Sequence, residues 1–311
     1  MLSRTTFVFV VVAAAAAFGA CVNEGAPTAQ VPAAAKSSPA PAGEDTALAA
    51  RLKEICGKAN GRCGVAVTHV ETGRAAAFEG ETPLPLYSVF KLPLAVEVLK
   101  GVEEGRLRLD QKIHVEPEET APGVKTNTDL WAKPSDRTLR ELLEFSIVRS
   151  DNTSSDKMLE LVGGPEVVTR RMRALGLPKI EVRASAREFL KSQDAHPNTG
   201  APADLARLLV MLQKGEVLAP PQREVLLGLM ANVKTGDRRL RAGVPTGTPV
   251  ADKTGSGPST TNDVGLVTLP GDRGHLALAV MLDGSKLSAE QQEDLIAEAA
   301  RAAYDAYVGG K

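Results

Sequence analysis

Ser88 and Lys91 stand three residues apart in the stretch Leu86-Tyr87-Ser88-Val89-Phe90-Lys91-Leu92-Pro93-Leu94. A serine hydroxyl is a weak nucleophile at neutral pH until a base takes its proton, and a partly desolvated lysine can be that base. Alone, Ser-x-x-Lys is a pattern that arises by chance in many chains and reads more simply as a helix-capping serine beside a solvated lysine. Two further patterns shift the balance. Ser150-Asp151-Asn152 lies 62 residues beyond Ser88, and Lys253-Thr254-Gly255-Ser256-Gly257 begins 165 residues beyond it. Together they offer a nucleophile, two lysines and a second hydroxyl, which is a set suited to acyl transfer.

The elements that must position these groups follow from periodicity. Pro83-Leu84-Pro85 precedes Ser88 and an apolar run at helical spacing follows, so a helix is predicted to begin near Ser88. Residues three apart share one helix face, and a helix amino terminus offers free N–H groups to a developing oxyanion. Thr46 to Lys58 reads as a helix, and Arg62 to Val70 and Arg74 to Phe78 read as strands about the turn Glu71-Thr72-Gly73. From Ser88 to about residue 230 the pattern is helical, except for some 25 irregular residues between Leu175 and Pro202. A long irregular loop in a compact domain tends to be functional. Pro249 to Thr254, Thr261 to Leu269 and His275 to Leu282 read as three antiparallel strands, and Ser288 to Tyr307 as a closing helix. The expected fold is α/β of the α+β kind. A five-stranded antiparallel sheet with flanking helices is built from both chain ends (46–83 and 232–311). An all-α half, 84–231, is inserted between them and carries the irregular loop 176–201.

The three motifs, in this order and spacing, resemble those of the class A (serine) β-lactamase family within the penicillin-binding superfamily of serine acyl-transferases. The resemblance runs from about residue 46 to 308. It includes Gly163-Gly164-Pro165, Thr235-Gly236-Asp237 with Arg241-Ala242-Gly243, and Thr260-Thr261-Asn262-Asp263. It implies hydrolysis of β-lactam antibiotics through an acyl-enzyme. By resemblance Ser88 is the nucleophile, Lys91 its activating partner and Ser150 the relay of a proton to the leaving nitrogen. Backbone N–H groups of Ser88 and Ser256 form the oxyanion hole. Lys253, Thr254, Gly255 and Ser256 hold the substrate carboxylate, and Asn152 positions Lys91 and the substrate amide. Asp151 is expected to hold backbone geometry at a turn.

Two departures stand out. The family places its deacylating glutamate on the long loop, followed four residues later by an asparagine. Counting from Leu175-Gly176, those positions fall at or near Ala186 and on Leu190. Glu188, about two residues out of register, is the tentative deacylation base. If it cannot serve, the acyl-enzyme on Ser88 is long-lived, and the chain behaves as a penicillin-binding or sensing protein or a D,D-peptidase with slow or no deacylation would. In addition, no arginine follows Lys253 on the neighbouring strand, where Thr260, Thr261 and Asn262 stand. Carboxylate anchoring is therefore expected to rest on Lys253 and Thr254.

Composition narrows the remaining classes. A formal charge of -1 over 311 residues, with no basic patch interleaved with aromatics, gives no reason to expect nucleic acid as a partner. Four dispersed histidines have no metal-ligand spacing, and no phosphate-binding glycine loop is present, so no metal or cofactor is expected. Residues 1–21 read as an export signal, with Arg4, the apolar run Phe7 to Ala17 and Phe18-Gly19-Ala20-Cys21. That last box resembles a bacterial lipoprotein cleavage site, implying a lipid anchor at Cys21, a periplasmic or cell-envelope location and otherwise no membrane contact. Residues 22–45, rich in Ala, Pro and Ser, read as a disordered tether. Cys56 and Cys63 are either a disulfide, which an exported protein permits, or two buried thiols. A monomer is expected.

Overall fold

The computed structural model describes residues 43–122, 129–191 and 197–309, with backbone only at 190 and 191. The export segment 1–21, Cys21 and the tether as far as residue 42 lie outside the described residues. The chain opens with helix α1 (Thr46–Cys56), strands β1 (Arg62–His69) and β2 (Ala75–Phe78), and the short strand β3 (Leu84–Pro85). A 3₁₀ turn, Tyr87–Phe90, leads directly into α2 (Lys91–Glu103). Then come β4 (Lys112–Val115), β5 (Ser135–Thr138), α3 (Leu139–Val148), α4 (Asn152–Val162) and α5 (Pro165–Ala174). The loop that follows holds α6 (Ala186–Lys191) and β6 (Thr199–Gly200), and leads to α7 (Pro202–Lys214) and α8 (Pro220–Ala231). The chain closes with α9 (Leu240–Gly243), β7 (Val250–Gly257), β8 (Thr260–Thr268), β9 (His275–Asp283) and α10 (Ala289–Val308).

The main sheet has the order β2-β1-β9-β8-β7, with every neighbour antiparallel. Both chain ends therefore build one sheet, as the sequence predicts. The period-2 alternation of β9 divides its residues between two cores. Leu276, Leu278, Val280 and Leu282 pack with Leu52 and Ile55 of α1 and Ile296 and Ala300 of α10. Ala277, Ala279 and Met281 face the helical half, with Leu92 and Val96 of α2 and Leu205 and Leu209 of α7. A disulfide joins Cys56 to Cys63 with Cα atoms 5.4 Å apart, tying the end of α1 to the start of β1.

Helix α2 is apolar nearly all round, and Leu92, Leu94, Ala95, Val96, Val98 and Leu99 are all fully buried. Such a helix belongs at the centre of its half, where it holds its first residue in a fixed place. Its one buried carboxylate, Glu97, is met by Arg106 at 3.0 Å and Arg171 at 2.6 Å. The middle region is less purely helical than its pattern suggests. Two ribbons, β3 with β6 and β4 with β5, interrupt it. They are too short for a period to register. Helix α3 starts at Leu139 because Thr138 caps it, its hydroxyl accepting from Glu141 N at 3.2 Å.

Candidate active site

The turn that carries Ser88 differs from the expected start of an α-helix. Ser88 lies in the 3₁₀ turn, and the α-helix begins at Lys91. The residue before the serine, Tyr87, has φ +45°, and Ser150 has φ +58°. Left-handed backbone at a residue with a side chain costs roughly 1 to 3 kcal/mol and persists where the surroundings impose it. At Tyr87 the surroundings are the Leu86 N–H bond to Asn198 O at 2.9 Å and the edge-to-face contact of its ring with Phe189 of α6 at 5.3 Å. Strand β7 runs alongside the turn with no room to spare. A side-chain carbon at Gly255 would meet Leu86 O at 2.5 Å and Ser88 N at 3.3 Å. This approach brings the β7 backbone beside the Ser88 N–H, where an oxyanion needs two donors.

Lys91 is wholly buried, and among the described residues its side-chain nitrogen has only neutral oxygens as hydrogen-bond partners. It reaches Ser88 Oγ at 3.0 Å, Asn152 Oδ1 at 2.8 Å, the Ser150 carbonyl at 2.6 Å and Ser150 Oγ at 3.3 Å. Lys253, equally buried, donates to the same Ser150 Oγ at 3.0 Å and to Thr254 O at 3.0 Å. Burial drives the Lys91 amine well below its ordinary value, and the charge of Lys253 drives it further. Burial likewise lowers Lys253, to about 8, with Asp252 and Asp263 opposing the shift. The combination favours the neutral form at Lys91, beside the Ser88 hydroxyl, and the charged form at Lys253, one hydroxyl away. Asp151 caps α4: its Oδ1 accepts from Ser154 N at 2.7 Å, Ser154 Oγ at 2.6 Å and Trp131 Nε1 at 3.2 Å. It fixes the turn that presents Ser150 and Asn152.

Arg239 was not among the residues the motifs singled out: β8 carries no arginine, as the sequence shows, yet one reaches the Lys253 strand from elsewhere. It comes from the segment before α9, not from β8. Its Nη2 donates to Ser256 Oγ at 2.7 Å, its Nη1 to Asn262 O at 3.0 Å, and its Nε to Glu293 Oε1 at 3.1 Å. The signal was present in the sequence, since Thr235-Gly236-Asp237 and Arg241-Ala242-Gly243 bracket it. Thr235 Oγ1 lies 2.6 Å from Thr254 Oγ1, so the same segment also braces the Lys-Thr-Gly strand. Among the described residues no group of three or more His, Cys, Asp or Glu is arranged to hold a metal ion.

The profile of the beta-lactamase enzyme family matches residues 47–307. The chain belongs to that family. The beta-lactamase of Streptomyces albus G is 32% identical over 262 residues, spanning 81% of this chain and 82% of that one. The beta-lactamase VEB-1 of Pseudomonas aeruginosa is 26% identical over 273 residues, covering 84% of this chain and 90% of that one. The crystal structure of a beta-lactamase from Chitinophaga pinensis superimposes with a TM-score of 0.81 at 33% identity, covering 84% of this chain and 99% of that one. An ancestral class A beta-lactamase gives 0.76 at 35% identity, covering 83% of this chain and 99% of that one.

The loop between α5 and α7 carries the candidate deacylation base, Glu188. Glu188 is not brought to Ser88 or Lys91 by any hydrogen bond. It is exposed, and its Oε2 accepts from Ser185 N at 2.8 Å and Ser185 Oγ at 2.9 Å, while Glu188 N donates to Ser185 Oγ at 3.2 Å. This reciprocal cap starts α6, and the same bonds hold the Glu188 carboxyl below its ordinary value. The counted glutamate position, Ala186, is buried, with its N–H bonded to Asp156 Oδ1 at 2.7 Å; Arg187 N bonds to Asp156 Oδ2 at 2.9 Å. Asp156, one helical turn after Asn152 on α4, is thus the carboxylate between the loop and the Lys91 side of α4, and the motif search missed it. The Leu190 side chain and residues 192–196 lie outside the described residues.

Proposed function

We propose that the chain hydrolyses β-lactams through an ester on Ser88. The carrying observation is the buried Lys91 Nζ, 3.0 Å from Ser88 Oγ and without a carboxylate among its hydrogen-bond partners. Neutral Lys91 takes the Ser88 proton as Oγ attacks the lactam carbonyl. The developing oxyanion is met by the Ser88 and Ser256 N–H groups. Lys91 then returns the proton through Ser150 Oγ to the lactam nitrogen as the C–N bond breaks. Lys253, Thr254, Ser256 and Arg239 form a cationic, hydroxyl-rich cradle suited to the substrate carboxylate.

A second reading concerns the half-reaction that follows. The cap on Glu188 and the alanine at position 186 both favour a long-lived ester, as in a penicillin-binding or sensing protein or a D,D-peptidase with slow release. A chromogenic cephalosporin separates the two readings when hydrolysis and intact protein mass are followed together. Many turnovers per protein support hydrolysis, and a single stable adduct on Ser88 supports the second reading. No adduct and no turnover, with Ser88→Ala indistinguishable from the parent, would remove both.

The exported, monomeric and lipid-anchored character is part of the same proposal. Its support is the sequence of residues 1–21 and the Ala/Pro-rich segment after it. Among the described residues no helix is long and apolar enough to cross a membrane. Mass analysis of the mature protein from a bacterial envelope fraction tests it: a diacylated amino terminus at Cys21 is expected, and Cys21→Ala releases the protein from the membrane fraction.

A further inference from the structure

Ser150, the hydroxyl that both buried lysines touch, stands where two helices meet. Helix α3 ends with Arg149 as its cap, Ser150 follows with φ +58°, and Asp151 is already the N-cap of α4. A left-handed residue just past a helix end is usually glycine, because a side chain there is strained. The surroundings must therefore impose this turn. The N–H groups of Arg149 and Asp151, on either side of Ser150, both donate to the Phe145 carbonyl, at 3.2 and 3.0 Å. On the far side, the Asp151 carboxylate holds the first turn of α4 through Ser154 N and Ser154 Oγ. Phe145 and Asp151 are thus the two pins of the turn.

One side chain touches both pins. Trp131, the only tryptophan in the sequence, is 4% exposed. Its ring meets the Phe145 ring edge to face at 6.0 Å, and Arg137 of β5 lies over it at 6.0 Å. Its Nε1–H donates to Asp151 Oδ1 at 3.2 Å. The two Ser154 donors belong to α4 itself, so they hold Asp151 to its own helix and not to α3. Among the described residues Trp131 alone donates to the Asp151 carboxylate from outside α4. A buried indole N–H needs an acceptor, and the packing of the ring decides where that N–H points.

We infer that Trp131 is a positioning residue for acylation: with its ring on Phe145 and its N–H on Asp151, it fixes the left-handed turn that sets Ser150 against Lys91 and Lys253. The Ser150 carbonyl then lies 2.6 Å from Lys91 Nζ, and its hydroxyl 3.3 Å from Lys91 Nζ and 3.0 Å from Lys253 Nζ. Trp131 bonds to none of these three groups and acts through the turn alone. Its effect therefore falls on proton delivery to the lactam nitrogen, not on substrate binding. A tryptophan that only filled the core would act through ring volume, and its N–H would be catalytically silent.

The inference rests on the reading of Ser88 as the acylated residue and Ser150 as its proton relay, and two measurements keep the parts separate. Because the chain has one tryptophan, biosynthetic replacement of tryptophan by β-(3-benzothienyl)alanine changes a single position, putting sulfur where the N–H was on a ring of nearly the same shape. The first measurement is acylation of Ser88 by a cephalosporin, followed by intact mass over a range of concentrations. The maximal rate should fall roughly tenfold or more, the worth of a hydrogen bond to a charged group, while the half-saturating concentration stays within about twofold. In the Ser150→Ala background the same replacement should cost little, because the group it positions is gone. An unchanged rate in the parent background, or an equal loss in both backgrounds, overturns the inference. Should the labelled protein fail to fold, Trp131→Phe, which also lacks the N–H, gives the same contrast. The second measurement is backbone hydrogen exchange without substrate. The Arg149 and Asp151 amides should exchange roughly tenfold or more faster after the replacement, with the amides of β9 unchanged. Equal protection of the two amides overturns the hold on the turn. Failure of any cephalosporin to acylate Ser88 removes the acylation reading and leaves hydrogen exchange to judge what Trp131 holds.

Discussion

Lys91 and Lys253 converge on one hydroxyl, with Nζ of the first 3.3 Å and Nζ of the second 3.0 Å from Ser150 Oγ. Both are wholly buried, so water does not screen one from the other. Two cations in that arrangement repel, and the cheaper proton to lose is that of Lys91, which burial and the charge of Lys253 drive well below its ordinary value, whereas Asp252 holds Lys253 up against its burial. In the proposed mechanism two residues of the same type therefore hold opposite charge states, Lys91 as base and Lys253 as anchor.

A pH profile follows from that assignment. Acylation needs Lys91 neutral, so its rate should climb as pH rises through the strongly lowered Lys91 value. It also needs Lys253 charged, so the rate should fall as pH passes about 8, where Lys253 loses its proton. The second-order rate constant of acylation on Ser88, measured by stopped-flow or intact mass, reads the free protein and should be bell-shaped. A rate still rising well above pH 9 would show that the cationic anchor is not needed.

Ser150 is the one hydroxyl that both lysines touch, so its removal should be felt in the proton path more than in the fold. Ser150→Ala is expected to lower acylation by roughly 10²- to 10⁴-fold, the usual worth of a positioned proton-transfer group. Binding of an unreactive substrate analogue should change much less. Equal losses in binding and acylation would assign Ser150 to substrate anchoring alone.

Arg239 should matter for the carboxylate side of the site. Its fork reaches Ser256 Oγ and the Asn262 carbonyl together, and a lysine cannot reproduce that plane of donors. Arg239→Ala should raise KM by roughly 10- to 150-fold, the worth of a hydrogen bond to a charged group of about 1.5 to 3 kcal/mol. Arg239→Lys should recover only a small part of it. A β-lactam ester, lacking the carboxylate, should be insensitive to both substitutions.

The fold and the acylation residues were legible for different physical reasons. Sheet and helices declared themselves through period, because β9 alternates between two cores and α2 is buried all round. Ser88, Lys91, Ser150 and Lys253 declared themselves through spacing, since each sits at a fixed place on an element. Arg239 escaped because it reaches the site from the segment before α9 and not from the strand beside Lys253. Glu188 misled because a carboxylate near the right position is indistinguishable, in sequence, from a capping glutamate three residues after a serine. The 3₁₀ turn at Ser88 was hidden because i+3 and i+4 spacing differ too little over four residues.

The loop offers the sharpest test of how the ester is released. Ser185 and Glu188 cap α6 reciprocally, so Glu188→Gln, which keeps one acceptor oxygen, should leave turnover within about twofold, while Ser185→Ala should cost about 1 kcal/mol of stability by losing the cap. Thermal melts and steady-state rates measure both. Ala186→Glu should act in the opposite sense on the chemistry. Its backbone is already held by Asp156, and a carboxylate added there would lie beside one whose own value is raised by burial. Like charge and burial would push the new glutamate up toward neutrality, where a general base for water is most effective. The lifetime of the Ser88 ester should then shorten by tenfold or more, at some loss of melting temperature from the buried charge. If Ala186→Glu leaves that lifetime unchanged while Glu188→Gln lengthens it, Glu188 leaves its cap when substrate binds and is the base after all.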